Sequence, residues 1–324
     1  MNLLHDSILP STVKEYLTSL EGKRQPSTVR RYFYDLEDFF KWLAEEYEAK
    51  EVTNWLMLTT EEIKPFFWLL EKERKYNIRT TKRIATVLNQ LYKYSIKQGV
   101  CNDNPIDGIE LLSLKEHSFQ TDHFITEKEA EKLFKSVKSM NGLTENQEKS
   151  RHFLVDRNIS IFLLFLSYGL TLQELTNLKM KDIHFENNTI YIASKTSLSR
   201  TITINENDKV QLYTYFKQIP EPVRPRYHSH DPFFVSFDFQ RNTYRWLYEL
   251  DQPKALTEIA IQKMIREEVK RAGLRKGISA KLIRHTFILN QLSNNVPIED
   301  IQRILGLKTP HLLQRYIEYS NLNS

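Results

Sequence analysis

The amino-acid sequence predicts a mainly α fold with a small antiparallel β-sheet, divided between two domains, and three observations carry that expectation. Up to residue 110 apolar side chains recur at three- and four-residue steps, and no alternating run interrupts them. Residues 113–124 are polar and unpatterned, which separates a first domain over 1–112 from a second over 125–324. Beyond them TIYIAS and RTITIN, joined by KTSLS, alternate like two short strands of a hairpin before helical spacing returns. A chain of 324 residues is about twice the usual domain size, which fits the division.

A short helix is expected over residues 11–20. Residues 27–48 place Val29, Tyr32, Phe33, Leu36, Phe39, Phe40 and Leu43 on one face, with Ser27 as the expected N-cap. Thr60, Glu62 and Ile63 open a second long pattern through Phe66, Phe67, Leu69 and Leu70. A third runs over residues 80–98 and stops at Gly99. Asn104-Pro105 breaks the helical pattern. In the second domain Thr126 and Glu129 form a capping box. Residues 157–168 read as an almost wholly apolar buried helix, and LTLQELTNLKMKDI as helix, turn and strand entry. FFVSF is one possible strand inside the loop at 230–241. Helices are expected over 257–272, 279–293, 298–305 and 309–318, the last with Thr309 as N-cap and Pro310 at its first position.

Hydrophobic residues at 40% and charged residues at 27% fit a folded domain and exclude wholesale disorder. Neither GxGxxG nor GxxxxGK[ST] occurs, which removes the Gly-rich nucleotide loops. One cysteine, Cys101, allows neither an intrachain disulfide nor a zinc ribbon. No basic segment followed by a long apolar run opens the chain, and the longest apolar stretch, residues 159–166, is too short to cross a bilayer. The expected location is cytoplasmic and nucleoid-associated, with no membrane partner. The net charge is +5. Residues 1–115 hold 17 basic and 17 acidic residues, so the surplus lies in 116–324, where 29 basic residues face 24 acidic ones. That excess favours a polyanionic partner.

Two basic clusters stand out. Arg74, Lys75, Arg79, Lys82 and Arg83 gather at a helix entry, where phosphate contacts and a solvated face explain them equally well. Lys263, Arg266, Lys270, Arg271, Arg275, Lys276, Lys281 and Arg284 form the second, interrupted only by Glu267 and Glu268. Lys281 and Arg284 are neighbours on one helix face and can clamp phosphate oxygens, although a surface ion-pairing couple is locally the commoner arrangement. Tyr316 lies one helical turn from Tyr319. A tyrosine becomes a covalent nucleophile if cations lower its pKa, but with 16 tyrosines core packing is the default for any one.

Order and combination then decide. TTKRIATVLNQLYKYSIKQGVCNDNPIDGI, FLSYGLTLQELTNLKMKDI, IYIASKTSLSRTITI, AKLIRHTF and LGLKTPHLLQRY follow one another as do the corresponding segments of the tyrosine recombinase (phage integrase, Xer-like) family, which the chain resembles over nearly its whole length. The resemblance implies a two-domain clamp around duplex DNA: a helical, SAM-like core-binding domain, then a mixed α/β catalytic domain. It implies Tyr316 as nucleophile through a 3′-phosphotyrosyl intermediate, Arg284 and Lys281 on the phosphate, and Lys195 as general acid. No metal or nucleotide cofactor is implied. DNA contacts are expected from Arg74, Lys75, Arg79, Lys82, Arg83, Arg200, Lys263, Arg266 and Lys270. The working assembly is expected to be a homotetramer on paired sites or a hetero-assembly with another recombinase.

Three positions depart from the family pattern: Lys281 stands where the family usually has the first histidine of its box, a change that resembles the related type IB topoisomerases, and the other two each remove a donor. Thr171 stands where the family has its first arginine, and Leu307 where it has His or Trp; losing one such donor at a developing oxyanion costs roughly 3–4 kcal/mol. Arg151, Arg157, Arg200, His285 and His311 are the nearby candidates for compensation, and Tyr319 is the alternative nucleophile. The leading expectation is site-specific DNA recombination or integration. The alternatives are a catalytically lapsed relative acting as an architectural or regulatory DNA-binding partner and, as a remoter class, an RNA-binding or protein-binding scaffold.

Overall fold

A computed structural model describes residues 7, 9–47, 52–110, 119–194 and 197–323 of the chain. The chain forms two compact units, Met1–Glu116 and His117–Ser324.

The first unit is built on helices α1 (Ser11–Ser19), α2 (Pro26–Glu46), α3 (Thr60–Trp68) and α4 (Ile78–Lys97). Their caps fall slightly earlier than the sequence suggests. Gln25, not Ser27, is the N-cap of α2, because Pro26 takes the first helical position, where its missing N–H costs nothing. Thr59, not Thr60, closes a capping box with Glu62, and Asn77 caps α4. The apolar stripes then meet in one core that includes Leu36, Phe39, Phe40, Trp55, Phe66, Leu88 and Tyr92. The buried Tyr92 hydroxyl donates to the Trp55 carbonyl at 2.7 Å, which satisfies the one polar atom its ring brings inside.

The second unit runs α5 (Glu127–Lys138), α6 (Glu145–Leu166), α7 (Leu172–Thr176), strands β1 (Ile183–His184), β2 (Thr189–Ile192) and β3 (Arg200–Thr203), then α8 (Glu206–Gln218). Two small hairpins follow, β4 (Phe237–Asp238) with β5 (Thr243–Tyr244) and β6 (Trp246–Leu247) with β7 (Gln252–Pro253). The chain closes on α9 (Glu258–Arg271), α10 (Ala280–Ser293), α11 (Ile298–Leu305) and α12 (Gln314–Asn323). The predicted hairpin is antiparallel, Ile190 opposite Ile202, with β1 added on the other edge of β2. Ile190 and Ile192 point into the core and Tyr191 away from it, the alternation the sequence displays.

Several elements differ from the sequence reading. Helix α6 starts at Glu145, twelve residues before the apolar run, behind a Thr144–Gln147 capping box. Helix α8 was not anticipated at all: Val210 and Tyr213 are exposed, which blurs the periodicity carried by buried Leu212, Tyr215 and Phe216. FFVSF is mostly buried, with Val235 in an isolated bridge to Ala255, and only Phe237 joins a strand. Thr309 makes no side-chain cap, and a 3-10 turn over Pro310–Leu313 precedes α12. Phe119 and Phe124, in the segment expected to be a linker, are buried against Phe287, Leu313 and Tyr316. Among the described residues no helix is long and apolar enough to cross a membrane.

Candidate active site

The site begins with a turn that only glycine fits. Gly169 follows α6 with φ +62°, and a Cβ there would run into the Phe287 ring and Leu305. The tight turn delivers Thr171 to the start of α7, where its hydroxyl accepts from the Glu174 N–H at 3.1 Å while the Glu174 carboxylate accepts from the Thr171 N–H at 2.8 Å. At the position where the family has an arginine, this chain therefore has a helix cap.

Glu174 joins three segments. It is 5% exposed, accepts from Arg200 at 2.6 and 3.3 Å, and accepts from Arg284 of α10 at 3.4 Å. Arg284 also donates to the Gly169 carbonyl. Burial alone would push the Glu174 carboxyl up, but the hydrogen bonds and charge of Arg200, with the Thr171 N–H and Arg284, hold it below the usual carboxylate range. Burial lowers the Arg284 guanidinium from its ordinary value, with Glu174 opposing, and an arginine so placed is still a cation.

Arg284 and Lys281 lie one turn apart near the N-terminus of α10, which Ser279 caps. Together with Thr171 and Arg266 of α9 they line a cavity of about 420 Å³. Lys281 and Arg266 are exposed.

Helix α12 packs against α10 and brings Tyr316 to it. The Tyr316 ring lies edge-on to His285 at 5.6 Å and 4.7 Å from the Phe119 ring; Arg315 covers Phe119 at 3.8 Å. Burial raises the Tyr316 hydroxyl pKa, while Arg315 and Arg284 pull it down. Leu307, partly buried, packs against this same aromatic cluster and offers it no donor.

The other expected residues divide clearly. Lys195 lies outside the described residues. Arg200 was expected on DNA, but its side chain is 6% exposed and engaged by Glu174 and the Ile304 carbonyl, so it is an internal brace. Arg74 pairs with Asp38 at 2.6 Å and Arg83 with Asp35, tying α4 and the chain before it to α2. Lys75 is exposed in a left-handed conformation, Arg79 is exposed and Lys82 half-buried; none of the three has an ion-pair partner among the described residues. Lys263 pairs with Glu267 at 3.8 Å and Lys270 is exposed. Arg271 joins buried Arg151 on Glu268, and Arg275 pairs with Glu129.

None of the suggested compensating groups occupies the cavity. Arg151 is held by Glu268 and the Ser136 and Val137 carbonyls, and buried Arg157 by the Asn158 side chain. His285 is buried, and His311 is exposed on the 3-10 turn before α12. Sequence reasoning missed Glu174, although the T-x-x-E capping box at 171–174 was its signal, and missed Phe119, for which an unpatterned segment gave none.

The likeness of this chain to known proteins covers nearly its whole length. The model for the phage integrase family matches residues 123–322, and that for the phage integrase N-terminal SAM-like domain matches 13–99. The tyrosine recombinase XerC of Pediococcus pentosaceus is 24% identical over 308 residues, covering 95% of this chain and 92% of that protein. XerC of Staphylococcus saprophyticus is 26% identical over 313 residues, 94% of this chain and 91% of that one. Among solved structures, the Tn1549 transposon integrase in complex with circular intermediate DNA aligns with a TM-score of 0.66 at 16% identity, covering 94% of each chain. A lambda integrase dimer bound to a COC′ core site aligns at 0.64 and 16%, covering 95% and 94%. With the family match spanning well over half of its residues, this chain belongs to the phage integrase family.

Proposed function

We propose that the chain is a tyrosine-type, site-specific DNA recombinase that cuts and rejoins duplex DNA through Tyr316. The observation that carries this reading is the meeting of α10 and α12. It sets the Tyr316 ring edge-on to His285, next in sequence to Arg284, and brings the phenol near enough for the Arg284 charge to lower its pKa against burial.

The chemistry balances without an added energy source. The Tyr316 oxygen attacks a backbone phosphorus, the bond from phosphorus to the 5′ oxygen breaks, the phenol loses its proton and the departing 5′ oxygen gains one. A 5′ hydroxyl of a second strand reverses the steps and expels Tyr316. Arg284 and Lys281 hold the nonbridging oxygens as charge develops, Lys195 delivers the proton, and four copies act on paired sites. DNA bound to relatives of this fold supports the partner: the Tn1549 integrase and lambda integrase structures both contain it.

A lapsed, DNA-binding relative is the second reading, favoured by one observation: the position-171 side chain caps a helix and carries no charge. A nicked duplex built on a target recovered by selection from random DNA separates the two. The recombinase gives a protein–DNA adduct on a denaturing gel that Tyr316→Phe abolishes; specific, salt-sensitive binding with no adduct selects the lapsed reading.

A further inference from the structure

We propose that Arg266 is a third cation of the phosphate site, supplying from α9 the charge that position 171 lacks. The assignment rests on the recombinase reading and goes beyond it by naming a residue from a different helix.

The cavity beside Thr171 is lined by Arg266, Lys281 and Arg284, and neither Asp nor Glu lines it among the described residues. The one carboxylate behind it, Glu174, is already shared between Arg200 and Arg284. Two arginines on one carboxylate leave a surplus of one positive charge, to which Arg266 and Lys281 add two more. The N-terminus of α10, capped by Ser279, adds its positive dipole end on the same wall. A pocket of this charge is built for an anion.

Arg266 is singled out by its lack of other work. It has no hydrogen-bond or ion-pair partner among the described residues; of the other cations of α9, Lys263 is engaged by Glu267 and Arg271 by Glu268, and Lys270 does not line the cavity. Thr171 cannot contribute charge, and its hydroxyl and N–H are both engaged in the α7 capping box. Its small side chain leaves open the space through which a guanidinium from α9 reaches an anion held by Arg284. Arginine suits that reach, since its planar fork meets two phosphate oxygens together.

The competing role for Arg266 is contact with a neighbouring, unreacting phosphate, and the test separates the two. The full-length protein and its Arg266→Ala variant are titrated with a selected target duplex in which one phosphate at a time is replaced by a neutral methylphosphonate. The scissile position is marked by the Tyr316 adduct. The expected result is that neutralising the scissile phosphate weakens wild-type binding about tenfold and the variant less than about twofold, while neighbouring positions weaken both alike. In the nicked-duplex reaction Arg266→Ala slows adduct formation about a hundredfold, and adding Thr171→Arg restores much of it. An equal loss in both proteins at every phosphate, or a difference confined to a neighbouring one, overturns the assignment. If the wild type binds but forms no adduct, a phosphate whose neutralisation costs only the wild type keeps Arg266 in the site while cleavage is lost as a reading; if it selects no DNA, both fall.

Discussion

His285 is 6% exposed, its ring set between Phe119 and Tyr316, and its Nδ1 has no hydrogen-bond partner among the described residues. Burial first, and then the positive charges of Lys281, Arg315, His123 and Arg284, push its pKa down to about 3. The folded chain therefore holds a neutral imidazole where the unfolded chain takes up a proton below its ordinary value of 6.5. Between those limits the unfolded state binds more protons, so this group's contribution to stability is complete above pH 6.5 and is lost as pH falls towards 3. Urea unfolding at pH 7 and pH 5 should show the loss, up to about 1.4 kcal/mol per pH unit, and His285→Phe should flatten the curve by that amount. Parallel curves for the two proteins would remove His285 as the cause. The residue was visible in the sequence as a possible imidazole donor, but its burial was not, because that depends on Phe119 from a stretch without pattern. Thr171 was legible as a departure from the family. Its use as a cap was legible too, from Glu174 three residues on.

Cationic helices show the same division between what spacing displays and what packing decides. Five cations at the entry of α4 look alike in sequence, yet Arg74 and Arg83 are ion-paired to α2 whereas Arg79 and Lys82 have no such partner. Only the second kind keeps its charge available for a phosphate. Exchanging Arg79 and Lys82 for alanine should reduce the slope of log K against log salt for DNA binding by about two and leave the unfolding midpoint in place. Exchanging Arg74 and Arg83 should lower that midpoint instead. The reverse pattern in paired salt titrations and melts would show that the ion pairs open on DNA. Periodicity revealed α2, α4 and α9 because each buries one stripe, whereas α10 buries the four consecutive residues 285–288. It concealed α8, whose apolar residues divide between core and surface, and the first turns of α6, which are polar until the helix enters the core.

At the scale of the whole molecule, each apolar cluster of the described residues is drawn from one unit. Leu9 to Ile109 form one cluster, and the clusters around Phe165 and Phe287 are drawn entirely from residues after 118. The sequence showed two domains because helical spacing stops and restarts. It did not show that residues 119–124 belong to the second core, since two phenylalanines in a polar stretch make no period. Each unit exceeds the size at which a single core sustains folding. Calorimetry of the full chain should therefore resolve two transitions, the one from His117–Ser324 carrying roughly two thirds of the enthalpy if heat scales with length. A fragment beginning at His117 should keep its helical circular dichroism and melt at the temperature of that transition. One sharp transition for the full chain, with a fragment that is unfolded alone, would mean that the second core needs the first unit to form, and the proposed phosphate site, whose lining residues all lie in the second unit, would then be a property of the intact chain.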